Sequence, residues 1–326
     1  MVTPLTRLAK TPYRPLAGPR LFVTSPPAPV TDRPVLGIAL MLGFCVIAPL
    51  ADSFAKILGS TVPILQLLLV RFLFQLGLLL PPSIVQRLPL IWSRGVMGLV
   101  ALRTLLHIAG IGAMFLALRY MPLADAVAIA FVMPFILLLL GWFFLGETVG
   151  WRRILACGVG FLGTLLVIQP SFAAIGAPAL LPLVVAVVFA VFILVTRQLT
   201  RTTDPMALQV TSGAMAILVL LPATLAADPL GLAPLVIPTG TQTWQLAALG
   251  CLGTAGHLVM TWSLRFAPAS TLAPMQYLEI PVAALLGLLI FREFPNGLAL
   301  VGILVTISAG LYIVFRERAL SQTKAP

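Results

Sequence analysis

Charge is what this chain has least of. Charged residues make up 9% of its 326 positions, and only nine of them are acidic. A water-soluble domain carries roughly 25% charged residues, so this composition excludes a protein surrounded by water. Histidine occurs twice and cysteine three times. Cys45, Cys157 and Cys251 all fall within apolar stretches and form no CxxC pair, which argues against a disulfide or metal framework and for small buried hydrophobes. No glycine loop followed by Lys-Ser/Thr is present, so the chain lacks a phosphate cradle for ATP. The 20 Lys and Arg residues give a net charge of +11. They are dispersed between apolar segments and build no basic face interleaved with aromatics, which speaks against nucleic acid as a partner.

What is abundant is hydrocarbon: 60% of the residues are hydrophobic. A helix needs about 20 apolar residues to cross a bilayer core. Stretches of that kind lie at about 34–56, 63–82, 95–117, 123–144, 154–169, 179–198, 206–226, 243–263, 269–290 and 297–315. Proline and glycine punctuate them at Pro81-Pro82, Pro122, Pro170, Asp204-Pro205, the 229–240 segment, Pro268 and Pro295-Asn296-Gly297. The expected fold is therefore an all-α integral membrane protein of ten transmembrane helices. Residues 1–33, with five basic residues among prolines and no continuous apolar core, read as a disordered basic tail rather than a signal peptide.

The chain also repeats itself. Leu118-Arg119-Tyr120-Met121-Pro122 precedes an apolar run broken by Pro134 and closed by Gly146-Glu147; Leu264-Arg265-Phe266-Ala267-Pro268 precedes one broken by Pro281 and closed by Arg292-Glu293. The two arginines, 119 and 265, are 146 positions apart, and so are the two glutamates, 147 and 293. Two units of five spans are expected, 34–170 and 179–316, followed by a short tail at 317–326. With the N-terminus inside, fifteen Lys and Arg fall in inside segments and three (Lys56, Arg119, Arg292) outside, which predicts cytoplasmic termini. An odd number of spans per unit then makes the second copy enter from the opposite face, giving inverted repeats with a site between them.

These features together resemble the drug/metabolite transporter superfamily, in particular chains with two EamA domains. The carriers are the five-plus-five arrangement, Arg71 in the second span, the Leu-Arg-Tyr-Met-Pro-Leu-Ala-Asp-Ala segment before span four, Pro134, Gly146-Glu147, and the matching Pro268, Pro281 and Glu293. The second copy departs in spacing, with thirteen residues from Pro268 to Pro281 against twelve from Pro122 to Pro134, and in having Arg292 where the first has Gly146. The resemblance implies a secondary carrier of a small organic metabolite in the bacterial inner membrane, with no cofactor and no catalysis, acting as monomer or homodimer. Ala51-Asp52-Ser53-Phe54-Ala55-Lys56 is similar to a branch containing riboflavin and S-adenosylmethionine uptake proteins. Riboflavin uptake is the substrate expectation it supports; S-adenosylmethionine, amino acids and other metabolites or drugs, in either direction, are the alternatives. An integral-membrane enzyme would need polar catalytic groups clustered at one depth, and the two histidines, both inside spans, do not supply them.

Polar residues inside spans are costly and mark the candidate site. Asp52 and Lys56, one helical turn apart, are placed to pair locally, with Lys56 reaching outward. Arg71 needs a carboxylate, carbonyls, water or an anionic substrate group, and Asp52 is its nearest acidic candidate in sequence. Arg103 and His107 share a face and would either hold an anion together or bond to each other. Glu279 stands two residues before Pro281, whose ring opens the helix, and is a candidate to bind substrate or take up a proton. The first copy has only Val132-Met133 before its Pro134. His257, Trp262, Gln276 and Tyr277 supply ring faces and hydrogen bonds that serve either packing or a flat ligand. Glu147 and Glu293, at span ends, read as helix-capping or ion-pairing residues, and no metal ligand set is expected.

Overall fold

The computed structural model describes residues 33–136, 139–140, 151–231, 234–267, 272 and 275–322, and all regular structure in it is helical. The basic tail, Gly146, Glu147 and Pro268 lie outside the described residues. Seven helices among those described are long and apolar enough to cross a bilayer, and three shorter apolar ones, Leu123–Ile136, Glu279–Phe291 and Gly297–Ala309, complete a ten-helix membrane fold. In chain order α1 is Pro34–Gly59, α2 Ile64–Val85, α3 Arg94–Ala117 and α4 Leu123–Ala130. Next come α5, Trp151–Ile175, α6, Leu181–Thr200, α7, Pro205–Ala227, and α8, Gly240–Phe266. The last two are α9, Glu279–Leu286, and α10, Gly297–Gln322. α10 thus continues into the segment expected to be a tail, and α5 is longer than its apolar stretch alone indicated.

Local chemistry sets the ends. Asp204 caps α7 by accepting from the Met206 and Ala207 amides at 2.8 and 3.3 Å. Thr239 and Gln242 form a reciprocal capping box at the start of α8. Large apolar side chains such as Leu78, Leu105, Leu218, Leu225 and Leu289 are exposed, as hydrocarbon requires of a face turned to lipid.

The helices pair across the repeats rather than within them. α1 packs along α8, and the equivalent pair, α6 on α3, mirrors it; α2 meets α7, α4 meets α9, and α5 meets α10, each helix touching its own counterpart. Ser263 near the end of α8 donates to the Gly37 carbonyl near the start of α1 at 2.8 Å, while Gln242 at the start of α8 donates to Thr61 just past the end of α1 at 3.1 Å, so the two run antiparallel. This is the pattern of inverted repeats about a pseudo-two-fold axis. On the α5–α10 seam, Thr306 donates to the Gly160 carbonyl, and these two positions are themselves 146 apart. The seam is close enough that a Cβ on Gly302 would stand 2.8 Å from Val167 Cγ2.

Both proline-broken helices break at the same place. α4 gives way to a turn at Phe131–Val132, and the helix at Met275–Gln276 gives way at Tyr277–Leu278 before α9 resumes. These positions are again 146 apart, and the Phe131 and Tyr277 rings face each other with centroids 5.4 Å apart. Pro281 has no amide to donate, so the Tyr277 carbonyl accepts instead from Ile280 at 3.3 Å.

α9 runs on into a wider π turn, Gly287–Phe291, and is terminated by Arg292 at φ 56° and ψ 27°, a left-handed conformation. Glycine is the residue that adopts this geometry freely at a helix end. Arg292→Gly is therefore expected to stabilise the protein by about 1 kcal/mol, read as a higher melting temperature in detergent. An unchanged or lowered Tm would mean that the Arg292 side chain contributes more than its backbone costs.

Candidate functional site

A cavity of about 110 Å³ lies where α1, α2, α3, α4, α6, α8 and α9 converge. Most of its wall is apolar and aromatic, including Phe44, Phe115, Phe131 and Phe189. Against that background five polar side chains reach it: Asp52, Arg71, His257, Gln276 and Glu279. Five of the nine residues proposed from sequence are thus brought to one space by four different spans.

Arg71 is 2% exposed and lies flat across α8. Its Nη2 donates to the Gly253 carbonyl at 3.2 Å, its guanidinium stands 5.1 Å from the Phe72 ring centroid, and its buried Nη1 has no hydrogen-bond partner among the described residues. A Cβ on residue 253 would come within 2.8 Å of Arg71 Nε, so glycine at this position is what admits the arginine. Asp52 on α1 and Glu279 on α9 carry no hydrogen bond or salt bridge among the described residues, although Asp52 lies close enough to Arg71 to interact with it electrostatically. Glu279 opens α9 immediately after the Tyr277–Leu278 turn, so the proline break places its carboxyl at the cavity wall.

The remaining sequence candidates lie elsewhere. Arg103 is completely buried outside the cavity, donating from Nε to Thr196 at 2.9 Å and from Nη1 to Ser212 at 2.8 Å, with the Phe192 ring 4.7 Å away. It therefore ties α3 to α6 and α7 and does not bond to His107. His107 instead meets His257: His107 Nε2 and His257 Nδ1 are 3.0 Å apart, so the chain's two histidines, one from each repeat, are hydrogen-bonded. Tyr277 packs on Phe131 at the axis. Trp262 lies near the end of α8, stacked on Phe266 with Arg265 beside it, away from the cavity.

Lys56 corrects the local pairing with Asp52 expected from their spacing. It forms a salt bridge with Glu293 and donates to the Met121 carbonyl at 3.0 Å, with its ammonium 4.9 Å from the Phe291 ring centroid. The geometry explains the preference, since the lysine reaches a second helix end where its head stays partly solvated, leaving Asp52 to the cavity. Sequence reading also passed over Asp125, 5% exposed in α4, which accepts from Ser171 at 3.4 Å. Its presence in the repeated segment before span four was the available signal. For Lys56 and Glu293, a double-mutant cycle with Lys56→Met and Glu293→Gln is expected to give a coupling of about 1 kcal/mol in thermal stability. Strictly additive effects would dissolve the pair as a structural link between α1 and the end of α9.

Comparison with known proteins places this arrangement. The model of the EamA-like transporter family matches residues 35–169 and again 177–316. The chain belongs to the EamA-like transporter family. An S-adenosylmethionine uptake transporter of Rickettsia felis is 26% identical over 86% of this chain and 93% of its own length. A riboflavin transporter of Rhizobium johnstonii is 32% identical over 66% and 69%, and a pseudopaline exporter, CntI, of Pseudomonas aeruginosa is 30% identical over 73% and 77%. A solved crystal structure with 17% identity covers 89% of this chain and 98% of its own at a TM-score of 0.60, a likeness of fold. This EamA-like protein is a multi-pass membrane transporter rather than an enzyme.

Proposed function

We propose that this EamA-like protein is a secondary carrier of a small organic solute that bears both a cationic group and a carboxylate, with S-adenosylmethionine the leading substrate. One observation carries the reading: two carboxylates with no hydrogen bond or salt bridge among the described residues, Asp52 and Glu279, share the cavity with one guanidinium, Arg71, whose Nη1 has no hydrogen-bond partner among those residues. A substrate sulfonium or ammonium satisfies the carboxylates, its own carboxylate satisfies Arg71, and the aromatic wall accepts a flat ring or a cation. The similarity to S-adenosylmethionine uptake transporters over most of both chains supports it. Alternating access arises from the pseudo-symmetric bundles moving about the cavity, in an inner membrane with both termini cytoplasmic, as the loop charges direct.

Riboflavin is the second reading, supported by the aromatic lining and by the similarity to a riboflavin transporter. Purified protein in proteoliposomes decides between them. Saturable uptake of labelled S-adenosylmethionine, competed by unlabelled S-adenosylmethionine and not by riboflavin, is the expected result. Saturable riboflavin uptake alone would transfer the assignment, and uptake that never saturates would remove the carrier mechanism.

A further inference from the structure

We infer that His107, which does not line the cavity, fixes the ring of His257, which does, so that the cavity wall offers a permanent N–H donor at His257 Nε2 beside Arg71. This rests on the cavity being the carrier's binding site, and it assigns a substrate carboxylate to the part of the wall formed by Arg71 and His257.

Counting protons on the two rings fixes the tautomers. The bond between His107 Nε2 and His257 Nδ1, 3.0 Å, needs a proton on one nitrogen and a lone pair on the other. Were His107 the acceptor, its own proton would sit on Nδ1. That nitrogen is buried without a hydrogen-bond partner among the described residues, in a ring packed against Phe192, stacked at 4.8 Å, and Phe72, T-shaped at 5.3 Å. A buried N–H with nothing to receive it is among the least tolerated polar arrangements, whereas a bare ring nitrogen costs less. The same objection applies to a charged His107, whose Nδ1 would also carry a proton. His107 therefore donates from Nε2. His257 then accepts at Nδ1 and holds its proton at Nε2, the edge left for the cavity that it lines.

Placement on α8 gives this donor a companion. Gly253, whose carbonyl receives Arg71 Nη2, lies one helical turn before His257, so Arg71 Nη1 and His257 Nε2 serve the same strip of wall. Two donors along one strip match a carboxylate, and the arginine supplies the charge while the histidine sets the orientation. His107 is in this scheme a positioning residue, acting on substrate only through the tautomer of its neighbour.

The chain has two histidines, so ¹⁵N-histidine labelling of protein purified without a histidine tag gives a spectrum simple enough to assign with single variants. In the substrate-free protein both rings are expected to be neutral and protonated at Nε2. A proton on His257 Nδ1 overturns the inference. His107→Gln, which keeps an amide donor, should retain the His257 tautomer, and His107→Leu should yield a mixture; an unchanged tautomer in His107→Leu overturns the positioning role. Where His107→Leu does not fold, the wild-type and His107→Gln spectra still decide. With S-adenosylmethionine as the probe, the His257 Nε2 signal should move, and competition by S-adenosylmethionine should exceed that by its decarboxylated form about tenfold, a preference lost in His257→Leu. Uptake without a shift or preference counts against the donor. Absence of any S-adenosylmethionine uptake counts against the proposed substrate, while the substrate-free spectrum judges the ring assignment separately.

Discussion

Glu279→Gln is expected to raise the KM for S-adenosylmethionine about 100-fold, a loss of ~2.7 kcal/mol of binding, while the protein still inserts and folds. Glutamine has the shape of glutamate, fits the same opening after the Tyr277–Leu278 turn, and removes only the charge. Folding is not at risk because Glu279 makes no hydrogen bond or ion pair among the described residues that the substitution would orphan. The loss falls on the ligand, since a cationic group entering a largely apolar cavity then faces one carboxylate, Asp52, instead of two. The pH response follows with a definite sign. Protonation of a carboxylate has the same effect as the substitution, so lowering the pH should weaken binding in the wild type and do so less in Glu279→Gln. Counterflow at two pH values measures both. Unchanged KM and an unchanged pH response would take Glu279 out of the mechanism.

Arg71→Gln should be as damaging, but through a different group on the ligand. The guanidinium spends one nitrogen on the Gly253 carbonyl and leaves another for the cavity, and a shorter neutral amide cannot do both. About a 100-fold fall in kcat/KM is expected for S-adenosylmethionine, with a much smaller effect on a competitor that lacks the carboxylate. Gly253→Ala supplies a control that leaves every charge in place. Its Cβ would stand 2.8 Å from Arg71 Nε, so the side chain must shift, and about a tenfold rise in KM is expected from misplacement alone. Equal losses for competitors with and without a carboxylate would show that Arg71 serves packing rather than recognition.

The fold was legible because hydropathy and repetition are properties of the chain read along its length. Ten apolar stretches, two prolines in matching positions and a constant offset need no knowledge of what touches what. Legibility failed where long side chains cross between helices. Asp52 and Lys56, and again Arg103 and His107, stand one turn apart and invite local pairing, yet in the structure Lys56 bonds to Glu293, Arg103 to Thr196 and Ser212, and His107 to His257. A flexible lysine or arginine samples a wide radius, and the partner on the next helix wins whenever it offers a better-shielded or more directional bond. The cavity residues were recognisable as a class, polar groups inside apolar spans, which is why Asp52, Arg71, His257, Gln276 and Glu279 could be named. Trp262 carries the same signature without the position, because spacing alone does not say which side of α8 faces inward.

The pairing of helices across the repeats has a bearing on how the chain is made. Synthesis runs from the N-terminus, and α1 finds its main neighbour only when α8 emerges, after the whole first repeat and the first two helices of the second, α6 and α7, have been made. Until then Arg71 lacks the Gly253 carbonyl and His107 lacks His257. Neither half is a finished object on its own; the first five helices wait in the lipid as an incomplete assembly, α8 supplies the partner of α1, and α4 and α5 are completed only by α9 and α10.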